Sequence, residues 1–236
     1  MKSTWSHSRL GTGAALFIWA FLFWFLIVAD RTSFYFAART TWLAPVGAVT
    51  LTVAVIGRVL SARVTSAEPL TRRHLRTLAL LVAPAILILA LPPATLGSYA
   101  VARRSTSIKG AYVSTEGIDL STGDLSLVDI FGLSYSGEIG RLASRAGSTS
   151  SFTGFVTTDP SGAADEFLLN RFMISCCPGD AVNIQLRVVG VPPGRFESDD
   201  WVRVTGRIYP IGKQVVVDAT SVQAVKRPER PYLNSR

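Results

Sequence analysis

The stretch ALFIWAFLFWFLIVA, residues 15–29, contains no charged side chain and decides the architecture of the first half of the chain. It belongs to an uncharged run over residues 11–29, and two further uncharged runs follow at 40–57 and 77–102. A helix needs about 20 apolar residues to cross the hydrocarbon core of a bilayer. One such run would also suit a buried helix of a soluble protein, but three in succession favour a membrane anchor.

We therefore predict a membrane anchor over residues 1–102, with three spanning helices near 11–29, 40–60 and 77–98. No A-x-A cleavage site follows the first run, so we expect that helix to be retained and not removed as a signal peptide. Prolines at 92 and 93 are expected to end the third helix near the membrane surface. The predicted localisation is a multi-pass protein of the cell membrane, with the lipid bilayer as its first partner.

Charge is distributed unevenly and predicts the orientation of the anchor. Residues 1–102 contain nine Lys/Arg and two Asp/Glu, whereas residues 103–236 contain fifteen and fourteen and are nearly neutral. Five arginines lie between the second and third runs, against two between the first and second. Because positive loops stay in the cytoplasm, the loop at 58–76 is expected inside and the C-terminal half outside the cytoplasm. The basic residues Arg103, Arg104 and Lys109 fit this orientation less well.

The second half of the chain has the pattern of a small all-β domain. We expect a linker with a short helix over 103–150, a β-barrel domain over 151–226 and an extended tail over 227–236. Five strand-like runs are separated by turn signals such as CPGD and PIGK, and WVRVTGRIYP alternates apolar and polar residues. Closing five short strands removes exposed edges, so an OB-like five-stranded barrel is predicted, with a β-sandwich as the alternative.

Composition argues against two classes of function. Stacking aromatics in a basic groove would be needed to bind nucleic acid, but this domain is nearly neutral and its aromatic residues are scattered. Both histidines, His7 and His74, lie in the anchor, so the exported domain lacks the commonest acid–base group. We expect neither a nucleic-acid partner nor an enzyme.

The only two cysteines, Cys176 and Cys177, are adjacent in the segment RFMISCCPGDA. Three interpretations remain open: a site for a soft metal ion such as zinc or copper(I) or for a metalloid, a strained vicinal disulfide with a redox role, or a pair of packed thiols. Asp180 is either a third ligand or a turn residue that bonds local backbone. Arg171 would lower a thiol pKa if it folded back, but otherwise lies on a solvated face. Trp201, at the start of a strand, is expected to cover the core.

The order of these features resembles the YcgQ-like family of bacterial membrane proteins, whose members are regarded as permease subunits. The resemblance is carried by the broken span LPPATLGSYA, by RFMISCCPGDA, by DDWVRVTG and by the terminal RPERPYL. It departs at Gly179, where alanine is expected. The resemblance implies a larger multi-span permease as partner. It implies no mechanism and no transported substrate.

These observations lead to one functional hypothesis with two alternatives. The chain is expected to be an accessory subunit of a permease, with Cys176 and Cys177 binding a soft ion or cycling their redox state. A membrane-anchored dithiol redox protein and a structural envelope protein remain as alternatives.

Overall fold

The computed structural model describes residues 4–64, 71–91, 95–103, 115, 118, 120, 125–158, 162–212 and 214–234. The chain forms two compact units, residues 1–94 and 95–236. Within the predicted linker and short helix of 103–150, residues 104–114, 116, 117, 119 and 121–124 lie outside the described residues.

The first unit is built on three helices, each long and apolar enough to cross a membrane. They are α1 (His7–Val28), α2 (Leu43–Leu60) and α3 (Arg72–Ala90). Helix α1 packs against both α2 and α3. Short 3-10 turns at Thr32–Phe34 and Ala38–Thr40 connect α1 to α2. The membrane-type helical half predicted from the uncharged runs is confirmed.

Local sequence signals set the ends of α3. The helix begins at Arg72 because the side chain of Thr71 accepts a hydrogen bond from the backbone N–H of His74, which places three arginines in its first turns. It ends at Ala90, and Leu91 is extended, as expected for a residue that precedes a proline. The charged start therefore extends the helix beyond the uncharged run, and the proline pair shortens it.

A two-stranded sheet joins the segment before α1 to the segment after α2. Strand β1 (Thr4–Trp5) pairs antiparallel with β2 (Arg63–Val64). Beside it, the guanidinium of Arg9 donates to the carbonyl of Ser61 at 2.6 Å. The start of α1 and the end of α2 thus lie at the same end of the helical unit.

The described residues of the second unit form two α-helices and six strands. Their bounds are α4 (Ser98–Arg103), α5 (Leu127–Tyr135), β3 (Thr149–Thr157), β4 (Glu166–Ile174), β5 (Val182–Val189), β6 (Trp201–Ile211), β7 (Gln214–Ala224) and β8 (Leu233–Asn234). The sheet order is β3-β6-β7-β5-β4-β8, and β3 also pairs with β4, which closes a five-stranded barrel. All pairs within the barrel are antiparallel except β5 with β7. The predicted barrel is confirmed, and the sandwich alternative is wrong.

Alternation along the strands fills the barrel. On β6, Val202, Val204 and Ile208 are fully buried, whereas the arginines between them face outward. Gly206 lies where β6 and β7 shift register, and a Cβ there would come within 2.3 Å of the carbonyl oxygen of Asp218. A glycine is therefore required for this close approach of the two strands.

Helix α5 covers part of the core with Leu127, Ile130 and Leu133. Its start is fixed by a capping box, in which Ser126 and Asp129 each bond the other's backbone N–H.

The C-terminal segment completes the sheet beside β4. Strand β8 runs parallel to β4, with Leu233 opposite Met173 and Asn234 opposite Ile174. Strand β3 pairs only with the first part of β4, at Leu168, Leu169 and Asn170. The tail therefore covers the part of β4 that leads directly into the cysteine doublet.

Candidate thiol site

The doublet lies in the tight turn that joins β4 to β5, and Asp180 builds this turn. Its carboxylate accepts the backbone N–H of Ser175 at 2.9 Å and that of Cys176 at 2.7 Å. Residues Pro178–Asp180 form a single 3-10 turn, in which the N–H of Asp180 returns to the carbonyl of Cys177 at 3.1 Å. The sequence folds in this way because a proline begins the turn and a short acceptor side chain follows two residues later.

Both cysteines are reduced thiols, and their sulfur atoms are 3.5 Å apart. Cys176 is exposed and Cys177 is half-buried. Strand β4 ends at Ile174, before the doublet, so the alternation of a strand does not separate the two side chains onto opposite faces. Both sulfurs are available as one unit at the surface.

The turn shifts the pKa of two groups in opposite directions. The hydrogen bond with the Asp180 side chain, helped by that with Cys177, raises the pKa of the Cys176 thiol to about 12. Desolvation raises the pKa of Asp180, but the hydrogen bonds that it accepts from the Cys176 thiol and from three backbone N–H groups outweigh this and hold its pKa below the usual range. At neutral pH the site therefore contains an ionised carboxylate beside a protonated Cys176 thiol.

The set of possible ion ligands is small. Within the part of the chain that the structure describes, no group of three His, Cys, Asp or Glu side chains is placed to hold a metal ion. The carboxylate of Asp180 is already used by the backbone of residues 175–177. The structure therefore brings Cys176, Cys177 and Asp180 into one turn but does not place them as a three-ligand metal site.

Arg171 lies on β4, and its guanidinium holds the C-terminal segment. Its three nitrogens donate to the carbonyl oxygens of Pro231 at 3.2 Å, Arg230 at 2.8 Å and Thr153 at 3.3 Å. Burial lowers the pKa of Arg171. Its position is thus explained by the tail, which passes next to the doublet.

Trp201 packs on Phe155, its cross-strand partner in the pairing of β3 with β6. Its ring lies 5.8 Å from that of Phe155, which stacks on Phe172 at 5.9 Å. The guanidinium of Arg171 lies 5.8 Å from the Trp201 ring. The two motif residues therefore meet in one aromatic cluster beneath the tail.

A buried amide network in the same strands is not evident from the sequence. The amide nitrogen of Asn170 donates to the hydroxyl of Thr157 at 2.7 Å and to the carbonyl of Leu168 at 2.9 Å. Its oxygen accepts from Asn183 at 2.9 Å and from Gln185 at 3.2 Å. In the sequence, the only sign of this network is that Asn170 interrupts an otherwise largely apolar strand.

The region that contains the barrel, the doublet and the tail is similar to a known domain family. Residues 141–234 match the DUF1980 C-terminal domain. The match covers all five barrel strands and β8, and it is consistent with the YcgQ-like resemblance of the sequence. No curated protein matches the chain.

The matched region includes both the barrel strands and the turn that contains the two cysteines. The helical unit lies entirely before the matched region. The doublet therefore lies in the matched region and outside the helical unit.

Proposed function

We propose that this chain is a non-catalytic accessory subunit of a membrane permease, whose barrel domain lies outside the cytoplasm and presents Cys176 and Cys177 to a soft metal or metalloid ion. The observation that carries the proposal is the sulfur pair itself: two reduced thiols 3.5 Å apart, with Cys176 exposed, on a turn that one carboxylate holds in shape. Thiols are the preferred ligands of soft ions.

The proposed orientation is supported by the distribution of charge and by the small sheet of the helical unit. Because the β1–β2 pairing places the N-terminus and the end of α2 at one end, three spanning helices leave the chain after α3 on the opposite side. The arginine-rich loop of residues 58–76 favours the cytoplasm. The domain with the doublet is then exported.

Partnership with a permease is supported by the composition of the spans. The central parts of the three apolar runs contain no Asp, Glu, Lys or Arg. Ionisable residues inside a membrane commonly mark ion pathways, so these three helices offer no such pathway by themselves. The transporting pore is accordingly supplied by a multi-span partner.

The experiment compares the wild-type chain with the Cys176→Ser/Cys177→Ser variant in cells and in mild detergent. We expect both to be inserted and to co-purify with a multi-span membrane protein, because the doublet lies on the surface of a folded barrel. Only the wild type should support export of the soft ion. Full export by the double variant would show that the cysteines are not required for transport. Transport by the chain alone in liposomes would show that no permease partner is required.

The short distance between the sulfurs also favours a second candidate, a dithiol that cycles with its disulfide. Intact-mass measurement of the chain taken from membranes under acid quench distinguishes the two functions. A dithiol predominating in growing cells supports the ion site, whereas a mixture that follows the external redox potential supports the redox cycle.

A further inference from the structure

A cavity of about 230 Å³ lies where the wall of the barrel is incomplete, between strands β5 and β7. The parallel pairing of these strands begins at Arg187 and Val216, so residues 183–186 are not paired with β7 in the part of the chain that the structure describes. Helix α5 flanks the opening, and residues 183–187 together with the first two residues of β7 line it. We call this space the seam cavity. The turn that contains the cysteines contributes none of the described residues that line it.

The volume of the seam cavity limits its ligand to a small molecule. A cavity of about 150 Å³ is large enough for a benzene ring, whereas pockets for drug-sized ligands begin at about 300 Å³. The seam cavity lies between these values, so it accommodates one six-membered ring with a few substituents. A peptide segment or a nucleotide is too large to enter it whole.

The hydrogen bonding of Asn183 indicates a ligand that donates a hydrogen bond. This side chain lines the cavity, is 1% exposed and donates through its amide nitrogen to Asn170 at 2.9 Å. Its amide oxygen is buried and has no hydrogen-bond partner among the described residues. Buried polar atoms of folded proteins are nearly always paired, because an unpaired one destabilises the fold. A donor group inside the cavity would supply the missing partner.

The charges around the seam cavity favour a neutral ligand. Among the described residues that line the cavity, Arg187 is the one charged side chain, and it pairs with the carboxylate of Glu166 on β4. Its charge is therefore already balanced, which makes the cavity a weak site for an anion. Hard cations need several oxygen ligands, usually including carboxylates, and the described lining contains no carboxylate.

The remaining lining combines amides with an aromatic ring. Gln185 and Gln214 are exposed and place their amides at the cavity, and the half-buried ring of Phe131 stacks on Tyr135 at 5.9 Å. A matching ligand has an apolar face for the ring and an edge of groups that both donate and accept hydrogen bonds. A hydroxyl does both, and a sugar ring carries hydroxyls around an apolar face of C–H groups.

We propose that the seam cavity binds one neutral sugar ring, either a free monosaccharide or the terminal unit of a glycan. One hydroxyl of the sugar donates to the amide oxygen of Asn183, and further hydroxyls bond the amides of Gln185 and Gln214. The C–H face of the ring packs on Phe131. The inference uses neither the cysteines nor a permease partner, so its test is independent of the proposed function.

The test is a ligand-observed NMR titration of the full-length chain in a detergent that contains no sugar. The probes are D-glucose, D-galactose, D-mannose and N-acetyl-D-glucosamine, with benzene and inorganic phosphate for comparison. We expect at least one sugar to bind with a Kd of about 10 mM or lower. Weaker binding of all four sugars overturns the proposal, as does tighter binding of benzene or phosphate than of every sugar.

Two variants locate the binding in the seam cavity. Ser134→Leu places a larger side chain from α5 in the cavity and should abolish binding, and the melting temperature reports whether the barrel stays folded. Gln214→Ala should weaken binding several-fold, whereas Gln223→Ala, at an exposed position of the same strand, should leave it unchanged. Equal affinities of the two glutamine variants overturn the assignment of the site, and so does full binding by a folded Ser134→Leu chain.

Monodeoxy analogues of the tightest sugar test the role assigned to Asn183. Loss of the hydroxyl that donates to its oxygen should weaken binding at least about tenfold, because a buried polar atom is then left unpaired. Equal binding of all monodeoxy analogues overturns this role. A disaccharide that binds at least as tightly as its terminal sugar identifies a glycan end as the ligand, and weaker binding of the disaccharide identifies the free monosaccharide.

Discussion

The helical unit and the barrel unit use apolar side chains in opposite ways. In the barrel, the large apolar residues point inward, and Val202, Val204 and Ile208 are fully buried. In the helical unit, alanines and a few larger residues such as Leu22 occupy the contacts between helices, whereas many large residues such as Phe17 and Val53 face outward. The barrel unit therefore has the distribution of apolar side chains typical of a domain in water, and the helical unit has the one typical of helices in lipid.

This contrast has a physical basis. Between helices in lipid there is no hydrophobic driving force, so small residues that permit close packing lie at the contacts. In water the burial of apolar surface dominates, so the barrel places its large residues inside. An exposed apolar residue is consequently expected to face lipid in the helical unit and water in the barrel unit.

The largest expected effect comes from placing a charge at matched exposed positions in the two units. Val53 in α2 and Ile211 at the end of β6 are 63% and 61% exposed. We expect Val53→Asp to oppose membrane insertion by about 3 kcal/mol, whereas Ile211→Asp should change stability by less than about 0.5 kcal/mol. The measurement is the inserted fraction of each variant in membranes. Equal tolerance of the two changes would show that α2 does not face lipid.

The next effect concerns polar groups inside the barrel, which water cannot reach. Asn170→Ala removes the partner of both Thr157 and Asn183, which are themselves buried. We expect a loss of about 3 kcal/mol in the free energy of unfolding, because buried groups are left unpaired. Gln185→Ala is the control: its exposed amide makes a longer bond to Asn170, and its loss should cost below about 1 kcal/mol. Denaturant unfolding measures the free energy of unfolding of both variants. Equal losses would contradict the assigned role of the Asn170 network.

The third prediction concerns the hydrogen bonds by which Arg171 holds the C-terminal segment against β4. Arg171→Met keeps the aliphatic part of the side chain but removes the donors to Pro231, Arg230 and Thr153. We expect a loss of about 2 kcal/mol and faster hydrogen exchange in β8. Arg203→Met, on the exposed face of β6, should lie within about 0.5 kcal/mol of the wild type. Unchanged exchange in β8 would mean that the strand pairing alone holds the tail.

The smallest effect lies in the thiol turn. Asp180→Asn removes a charged acceptor that is partly screened by solvent, so we expect a cost of about 1 kcal/mol at pH 7. Because its folded-state pKa is lowered, Asp180 stabilises the fold fully above its ordinary pKa of about 4 and loses this contribution as the pH falls through the lower folded value. The stability difference between variant and wild type should therefore shrink in acid.

The same variant also tests the thiol. Without the carboxylate, the raised pKa of Cys176 should fall, and its alkylation at pH 8 should be faster than in the wild type. Asp165→Asn, an exposed change at another turn, should leave both stability and alkylation unchanged. Slower alkylation in Asp180→Asn would contradict the role assigned to the carboxylate.

Periodicity was sufficient to predict the two architectures because both depend on short-range pattern. Uncharged runs indicate helices in lipid, and alternation in WVRVTGRIYP indicates a barrel strand. The roles of Arg171 and Asn170 could not be predicted, because they depend on which strands and tail carbonyls the fold brings beside them. Asp180 lies between these cases. Its proximity to the doublet was evident from the sequence, but its engagement by the N–H groups of Ser175 and Cys176 required the turn geometry.

The central proposal is that the arginine-rich loop of residues 58–76 lies in the cytoplasm and the doublet outside it. It is tested most directly by labelling intact cells with a membrane-impermeant maleimide. The background is Cys176→Ser/Cys177→Ser, into which Gln223→Cys on the barrel or Ser61→Cys after α2 is introduced; both positions are exposed. The account predicts that the cysteine at 223 is labelled in intact cells and that at 61 only after lysis. Labelling at 61 in intact cells, with 223 protected until lysis, would contradict it.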